Sequence, residues 1–201
     1  MSLFRDLEFL TTVAALRDLP PARGPEVAFV GRSNSGKSST INALANHRRL
    51  AFASKTPGRT RHINFFRFAQ DRYLVDLPGY GFARTGAAQR EDWANLIEGY
   101  IQERAALRGL VLLMDVRHPL TEMDRQLLGW FLPTGKPVHV LLNKADKLSR
   151  SEALRVLRQI TAALGQAYPN CSVQIFSSRT GLGLKSAEQV IARWMGAVPK
   201  P

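Results

Sequence analysis

The sequence predicts an α/β fold: a mostly parallel six-stranded sheet with one antiparallel edge strand, and helices on both faces. Three observations carry that expectation. Short apolar runs of strand length alternate with stretches of helical period along most of the chain. Turn-forming, polar segments follow several of those runs, where open α/β sheets carry their ligands. At 201 residues, 45% hydrophobic and 22% charged, the chain can bury the core of one such domain.

Residues 1–25 close in the connector Leu19-Pro20-Pro21-Ala22-Arg23-Gly24-Pro25, and are expected to form an extension packed on a single domain of residues 26–201. Val27 to Val30 is the first apolar strand, and Ser39 to Ala45 the first helix. Between Phe52 and His62 the chain is polar, basic and turn-forming around Pro57-Gly58, which predicts a mobile loop. Ile63 to Ala69 and Arg72 to Val75 then form a hairpin across the tight turn Gln70-Asp71. Trp93, Leu96, Ile97, Tyr100 and Ile101 recur at helical spacing and read as the buried stripe of a long helix. Leu110 to Met114 and Val138 to Leu142 are uninterrupted apolar runs of the kind buried on both faces of a parallel sheet. Helices start at the cap-like Thr121-Glu122-Met123-Asp124 and at Ser149 with Glu152. Val173 to Phe176 is the last strand and Leu184 to Met195 the last helix, with Ala187, Val190, Ile191 and Trp194 on one face. There is no internal repeat and no low-complexity tract.

The formal net charge of +12, from 28 Lys and Arg against 16 Asp and Glu, favours a polyanionic partner. Between residues 48 and 72 the cations Arg48, Arg49, Lys55, Arg59, Arg61, Arg67 and Arg72 face the single acid Asp71. That density points to RNA or another phosphate-rich surface. Arg5, Asp6, Glu8, Arg17 and Asp18 interrupt the first 25 residues, so no signal peptide is expected. No segment reaches membrane-spanning length. One cysteine, Cys171, has no partner for an internal disulfide, which suits a reducing cytoplasm and a structural role for the thiol. His47, His62, His118 and His139 lack the spacing of metal ligands.

Gly31-Arg32-Ser33-Asn34-Ser35-Gly36-Lys37-Ser38 fits G-x-x-x-x-G-K-[ST] between the first strand and the first helix. Glycines let the backbone wrap round an anion, N–H groups and the helix N-terminus supply positive dipoles, Lys37 adds a charge, and the Ser38 hydroxyl can ligate Mg²⁺. That is the chemistry of a nucleoside triphosphate site, and the expected fold is similar to the three-layer, Ras-like P-loop type. Four further segments fall at strand ends. Asp76-Leu77-Pro78-Gly79 fits D-x-x-G, with a carboxylate able to hold Mg²⁺ through water and a Gly79 N–H able to meet a γ-phosphate. Asn143-Lys144-Ala145-Asp146 fits N-K-x-D: the Asp146 carboxylate can accept from both guanine N1–H and the N2 amino group, which adenine lacks, with Asn143 on the other base edge and Lys144 along the ring. Phe176-Ser177-Ser178, followed by Arg179, can present backbone N–H groups to the guanine oxygen. In Thr56-Pro57-Gly58-Arg59-Thr60, Thr60 is the expected second hydroxyl ligand for Mg²⁺, with Thr56 as its rival.

Together with Ser39, Lys55, Asn64-Phe65-Phe66, Tyr80-Gly81-Phe82-Ala83 and Asp115-Val116-Arg117-His118, these motifs resemble a translation-factor-type (TRAFAC) GTPase, and more narrowly the EngB (YihA/YsxC) family of ribosome-biogenesis GTPases. The resemblance implies GTP and GDP binding, slow GTP hydrolysis, and a part in large (50S) ribosomal subunit assembly that supports cell division and growth in the cytoplasm, with rRNA or a pre-50S particle as partner and the chain a monomer. Asn143 stands where the family commonly has threonine, and Ser35 where valine is frequent. Catalysis would be electrostatic, with Lys37, Thr60 and Gly79 opposing charge on the transferring phosphoryl. Ras-like enzymes carry a water-orienting glutamine where this chain has Tyr80, which implies low intrinsic turnover. Asn34 resembles the residue that helps place K⁺ in potassium-stimulated GTPases. Two other readings stand beside this one: a nucleotide-independent RNA-binding module with a vestigial loop, and another P-loop RNA-modification enzyme.

Overall fold

In the computed structural model, residues 3–47, 49–51, 62–81 and 87–197 are described. Seven strands pair into one sheet: β1 (Glu8–Val13), β2 (Glu26–Gly31), β3 (Ile63–Phe68), β4 (Arg72–Asp76), β5 (Leu107–Asp115), β6 (Val138–Asn143) and β7 (Cys171–Ile175). Their order across the sheet is β1-β3-β4-β2-β5-β6-β7. Neighbours from β4 to β7 run parallel, whereas β3 runs antiparallel to both β4 and β1. The helices are α1 (Lys37–Leu44), α2 (Ala87–Glu103), α3 (Glu122–Phe131), α4 (Arg150–Gly165) and α5 (Leu184–Trp194).

The sheet has one strand more than the six expected, and the antiparallel strand is not its edge. Residues 8–13 supply β1, which covers β3 from outside. Of those six residues only Val13 is buried, so the segment lacks the apolar alternation that announces a strand. An edge strand is held chiefly by backbone hydrogen bonds to one neighbour, and these leave no trace in side-chain patterning. Phe4 and Leu7, just ahead of it, are buried, and the Phe4 ring meets Phe68 edge-on at 4.9 Å.

Strand period divides the interior in two. Ala28 and Val30 of β2, Leu110, Leu112 and Met114 of β5, and Val140 and Leu142 of β6 face a core closed by Ile97 and Ile101 of α2, Leu127 and Leu128 of α3, and Ile160 and Leu164 of α4. Val27, Phe29, Val111, Leu113 and Leu141 face the opposite core, closed by Ile41 and Leu44 of α1 and by Ala187 and Ile191 of α5. Both expected helix starts form capping boxes, Thr121 with Asp124 and Ser149 with Glu152.

Polar groups are also buried away from the loops, among them Glu26 and His139. Glu26, 1% exposed at the start of β2, accepts from Tyr100 Oη at 2.7 Å and from Arg104 Nε at 3.0 Å. Arg104 also donates to the Pro20 carbonyl at 2.8 Å, which ties the connector and the end of α2 to the lower edge of the sheet. His139 on β6 is buried between Ser172 Oγ at 2.7 Å and Gln174 Oε1 at 2.9 Å.

Candidate functional site

β2 ends at Gly31, and α1 starts at Lys37, so residues 32–36 turn the chain directly from the sheet into a helix. Asn34 (φ 64°) and Gly36 (φ 93°) are both left-handed, and such turns aim successive N–H groups into one concavity. A Cβ on Gly36 would stand 2.2 Å from Asn143 Nδ2, so only glycine fits there. The first N–H groups of α1 have no partner within the helix and point to the same side as the turn.

The segment after β4 is fastened to this loop. The Ser33 N–H donates to the Tyr80 carbonyl at 2.7 Å, and the Tyr80 N–H approaches the Gly31 carbonyl at 3.4 Å. Asp76, 3% exposed at the end of β4, pairs with Lys37 Nζ and lies 3.4 Å from Asn64 Nδ2. Lys37, Ser38 and Asp76 therefore present one ammonium, one hydroxyl and one carboxylate around the start of α1. With Asp76 and Ser38 the oxygen donors are few, and among the described residues no cluster of three His, Cys, Asp or Glu could hold a metal alone. That suits Mg²⁺, which keeps several waters and is completed by substrate phosphates.

The Asn143–Asp146 segment leaves β6 on the other side of the same loop. Asn143 is 1% exposed; its Nδ2 donates to the Ser35 carbonyl at 2.7 Å, and its Oδ1 accepts from the Ser178 N–H at 3.1 Å. The amide thus braces the two loops with one of its two N–H donors and one lone pair of its oxygen. Asp146 accepts from Ser177 Oγ at 2.6 Å and from Arg179 Nε at 2.8 Å. The Ser177 hydroxyl, with Arg179 beside it, holds the Asp146 carboxyl below its ordinary range. Lys144, left-handed at φ 65°, donates to Asp115 Oδ2 at 3.0 Å, and Arg117 Nε bonds the other oxygen at 2.9 Å. Burial works against the Asp115 anion, but hydrogen bonds from Arg117 and then from Lys144 keep its carboxyl far below the usual range.

Leu77 and Phe176 are fully exposed to neither solvent nor cleft: both are wholly buried in the cores, so only their backbone atoms can border a ligand. Ala145 is likewise buried and donates its N–H to the Phe176 carbonyl at 3.1 Å. Tyr80 is 2% exposed, its hydroxyl bonded to Asp124 and its ring against Trp93 at 5.5 Å. This phenol is a packing group between the D-x-x-G segment and α3. Thr56, Pro57, Gly58, Arg59 and Thr60 lie outside the described residues. The sequence reading missed Asp115 as the holder of Lys144, Arg179 as a partner of Asp146, and Asn64 beside Asp76. Asn64 and Asp115 belong to motifs already noted, but a motif does not say which side chain another loop will bring to it.

A cavity of about 230 Å³ lies against this constellation, lined by Ser33, Asn34, Asp115, Arg117 and Lys144 among others. A larger one, about 570 Å³, lies between Leu16, Trp93 and Leu96 and contains none of the motif residues. The smaller cavity is bordered by Arg32 to Ser35 of the loop after β2 and by Lys144 of the N-K-x-D segment, whereas Lys37, Asp76 and Asp146 are not part of its lining.

A family model described as a 50S ribosome-binding GTPase matches residues 26–144. The probable GTP-binding protein EngB of Nitrosomonas eutropha is 56% identical over 192 residues, which span 96% of this chain and 86% of that protein. That of Aromatoleum aromaticum is 50% identical over 208 residues, 100% of this chain and 96% of the relative. Among solved structures, a probable GTP-binding protein EngB superposes with a TM-score of 0.67 at 19% identity, covering 85% of this chain and 98% of that one. Era in complex with MgGDPNP and a piece of 16S ribosomal RNA superposes with a TM-score of 0.65 at 20% identity, covering 89% and 59%. At those identities the two superpositions speak for the fold alone.

Proposed function

This chain belongs to the EngB family of GTP-binding proteins, and we propose that it binds GTP and GDP with Mg²⁺, hydrolyses GTP slowly, and acts as a nucleotide-controlled switch in large ribosomal subunit assembly. The observation that carries this reading is the Asn143 brace. One buried side chain fixes the phosphate-binding loop, through Ser35, relative to the loop of Ser177 and Ser178 that holds Asp146. A cradle for phosphates and a carboxylate for guanine are thereby held at a set separation, which is what one nucleotide needs to be gripped at both ends.

Lys37 and the N–H groups at the start of α1 oppose phosphate charge. Asp146, kept ionised by Ser177 and Arg179, accepts from the guanine N1–H and N2 amino groups. Lys144, held by Asp115, lines the base side. Ser38 and Thr60 would ligate Mg²⁺ directly and Asp76 through water; bound there, the ion offsets charge on the transferring phosphoryl. Gly79 sits on the segment fastened to the phosphate loop, where its N–H can report a γ-phosphate. Because the Tyr80 hydroxyl is engaged by Asp124, no side chain at that position orients water, which supports a low intrinsic rate. Asn34, exposed in the loop, is the group that would place K⁺, and an exchange of NaCl for KCl in a turnover assay tests it. The rRNA partner is supported by the basic residues 48–72 and by the family model.

Competition of GTP, GDP and ATP against a fluorescent GDP tests the reading. GTP and GDP should displace the probe at concentrations at which ATP does not, and Lys37→Ala should lose the binding. ATP displacing it better than GTP would overturn the proposal. Co-sedimentation with 50S subunits should favour the GTP-analogue form; equal binding of the GDP form would remove the switch.

A further inference from the structure

We propose that the outer face of α4 is an RNA-docking surface, distinct from the basic stretch between residues 48 and 72. The identity of the polyanion rests on the reading of the chain as a ribosome-associated GTPase; the surface itself rests on the fold.

Lys147, Arg150, Arg155 and Arg158 are all exposed. At 3.6 residues per turn, Arg150, Leu154 and Arg158 follow one another along a single line of α4, with Arg155 beside it. The buried positions Ala153, Ile160 and Leu164 lie on the other side, against the sheet. Arg150 and Arg158 are eight positions apart, a rise of about 12 Å, roughly the axial span of three or four phosphates on one nucleic-acid strand.

Three further facts separate this face from an ordinary solvated one. The only acid between Lys147 and Gly165 is Glu152, and its carboxylate is committed to the cap, accepting from the Ser149 N–H at 2.8 Å and from Ser149 Oγ at 2.6 Å. Among the described residues none of the four cations makes an ion pair, so the guanidinium forks of Arg150 and Arg158 can turn to phosphate oxygens, while Arg155 also feels the nearby charge of Glu152. On the same face of the sheet α2 carries Glu91, Asp92, Glu98 and Glu103, so a polyanion is repelled there and drawn towards α4.

The stretch 48–72 offers less than its composition suggests. Arg67 is paired with Glu8 at 3.2 Å, and Arg72 Nε donates to the Met195 carbonyl at 3.1 Å. An acidic protein could also meet an arginine face, but the row of unpaired forks suits evenly spaced phosphates, and the α4 stripe starts at Arg150, four residues after Asp146, with Lys147 between them. RNA lying along it would border the nucleotide-binding loops.

The test compares the full chain with Arg150→Gln/Arg155→Gln/Arg158→Gln, and with a control that removes three scattered, exposed cations, Arg5→Gln/Arg125→Gln/Arg193→Gln. Binding to purified 50S subunits and to a labelled RNA hairpin of mixed sequence is measured across a salt series, alongside GDP binding and thermal unfolding. The α4 variant should lose about 2 to 3 from the slope of log affinity against log salt, and the control less than about 1. GDP binding and unfolding temperature should stay at the parent values in both. An unchanged slope in the α4 variant, equal losses in the two variants, or a parent chain that binds neither RNA probe overturns the proposal. A parent chain that binds RNA through α4 but no GDP leaves this surface standing and removes the nucleotide switch.

Discussion

Asn143 Nδ2 lies 2.7 Å from the Ser35 carbonyl, a hydrogen bond between residues 108 positions apart that joins the end of β6 to the loop after β2. Its Oδ1 holds the Ser178 N–H at 3.1 Å, so the deletion of one amide releases two loops. Asn143→Ala leaves a buried carbonyl and a part-buried N–H without partners, at a cost of about 2 to 3 kcal/mol. We expect lower stability in urea and at least a tenfold weaker GDP affinity in a fluorescence titration. Parent-like GDP affinity would show that the brace does not position the nucleotide.

Asp146 should decide which base is accepted. Asp146→Asn replaces an acceptor by a donor, which matches the C2 carbonyl of xanthine in place of the guanine amino group. The variant should prefer XTP to GTP by about tenfold or more in competition binding. Arg179→Ala removes one of the two partners of Asp146 and should weaken GDP by a smaller factor without changing the base preference.

Glu26 and Arg104 are a buried ion pair, their side chains 1% and 10% exposed. Glu26→Gln leaves the guanidinium without its counter-charge and should cost about 3 to 5 kcal/mol in chemical denaturation. The pair lies at the start of β2, away from the loops, so GDP affinity of the folded fraction should be retained.

Ser35 carries the one buried side-chain polar atom that lacks a hydrogen-bond partner among the described residues. An unsatisfied hydroxyl at 2% exposure costs free energy that an alanine would not. Ser35→Ala should raise stability by about 1 kcal/mol, and the backbone carbonyl that Asn143 uses is unaffected by the change.

His139 should make the fold acid-sensitive. Burial lowers the pKa of the imidazole from its ordinary 6.5, and the bond to Gln174 offsets this only in part. The unfolded chain therefore binds a proton at a higher pH than the folded one, so stability falls as pH drops below about 6.5 and levels off once the folded pKa is passed. His139→Gln should flatten that dependence in a series of unfolding curves between pH 7 and pH 5.

Most of the fold and the chemical identity of each loop were legible in the sequence because both are local properties. Apolar runs of strand and helix period are written in consecutive residues, and G-x-x-x-x-G-K-[ST], D-x-x-G and N-K-x-D each hold their chemistry within eight positions or fewer. Tertiary structure alone decided the partners: that Asn143 braces Ser35 and Ser178, that Tyr80 turns to Asp124, that Lys144 leans on Asp115, and that residues 8–13 close the sheet as β1. A hydrogen bond is set by which donor reaches which acceptor once distant strands have found their register, and an edge strand by the neighbour it pairs with. Neither is encoded in the spacing of residues along the chain.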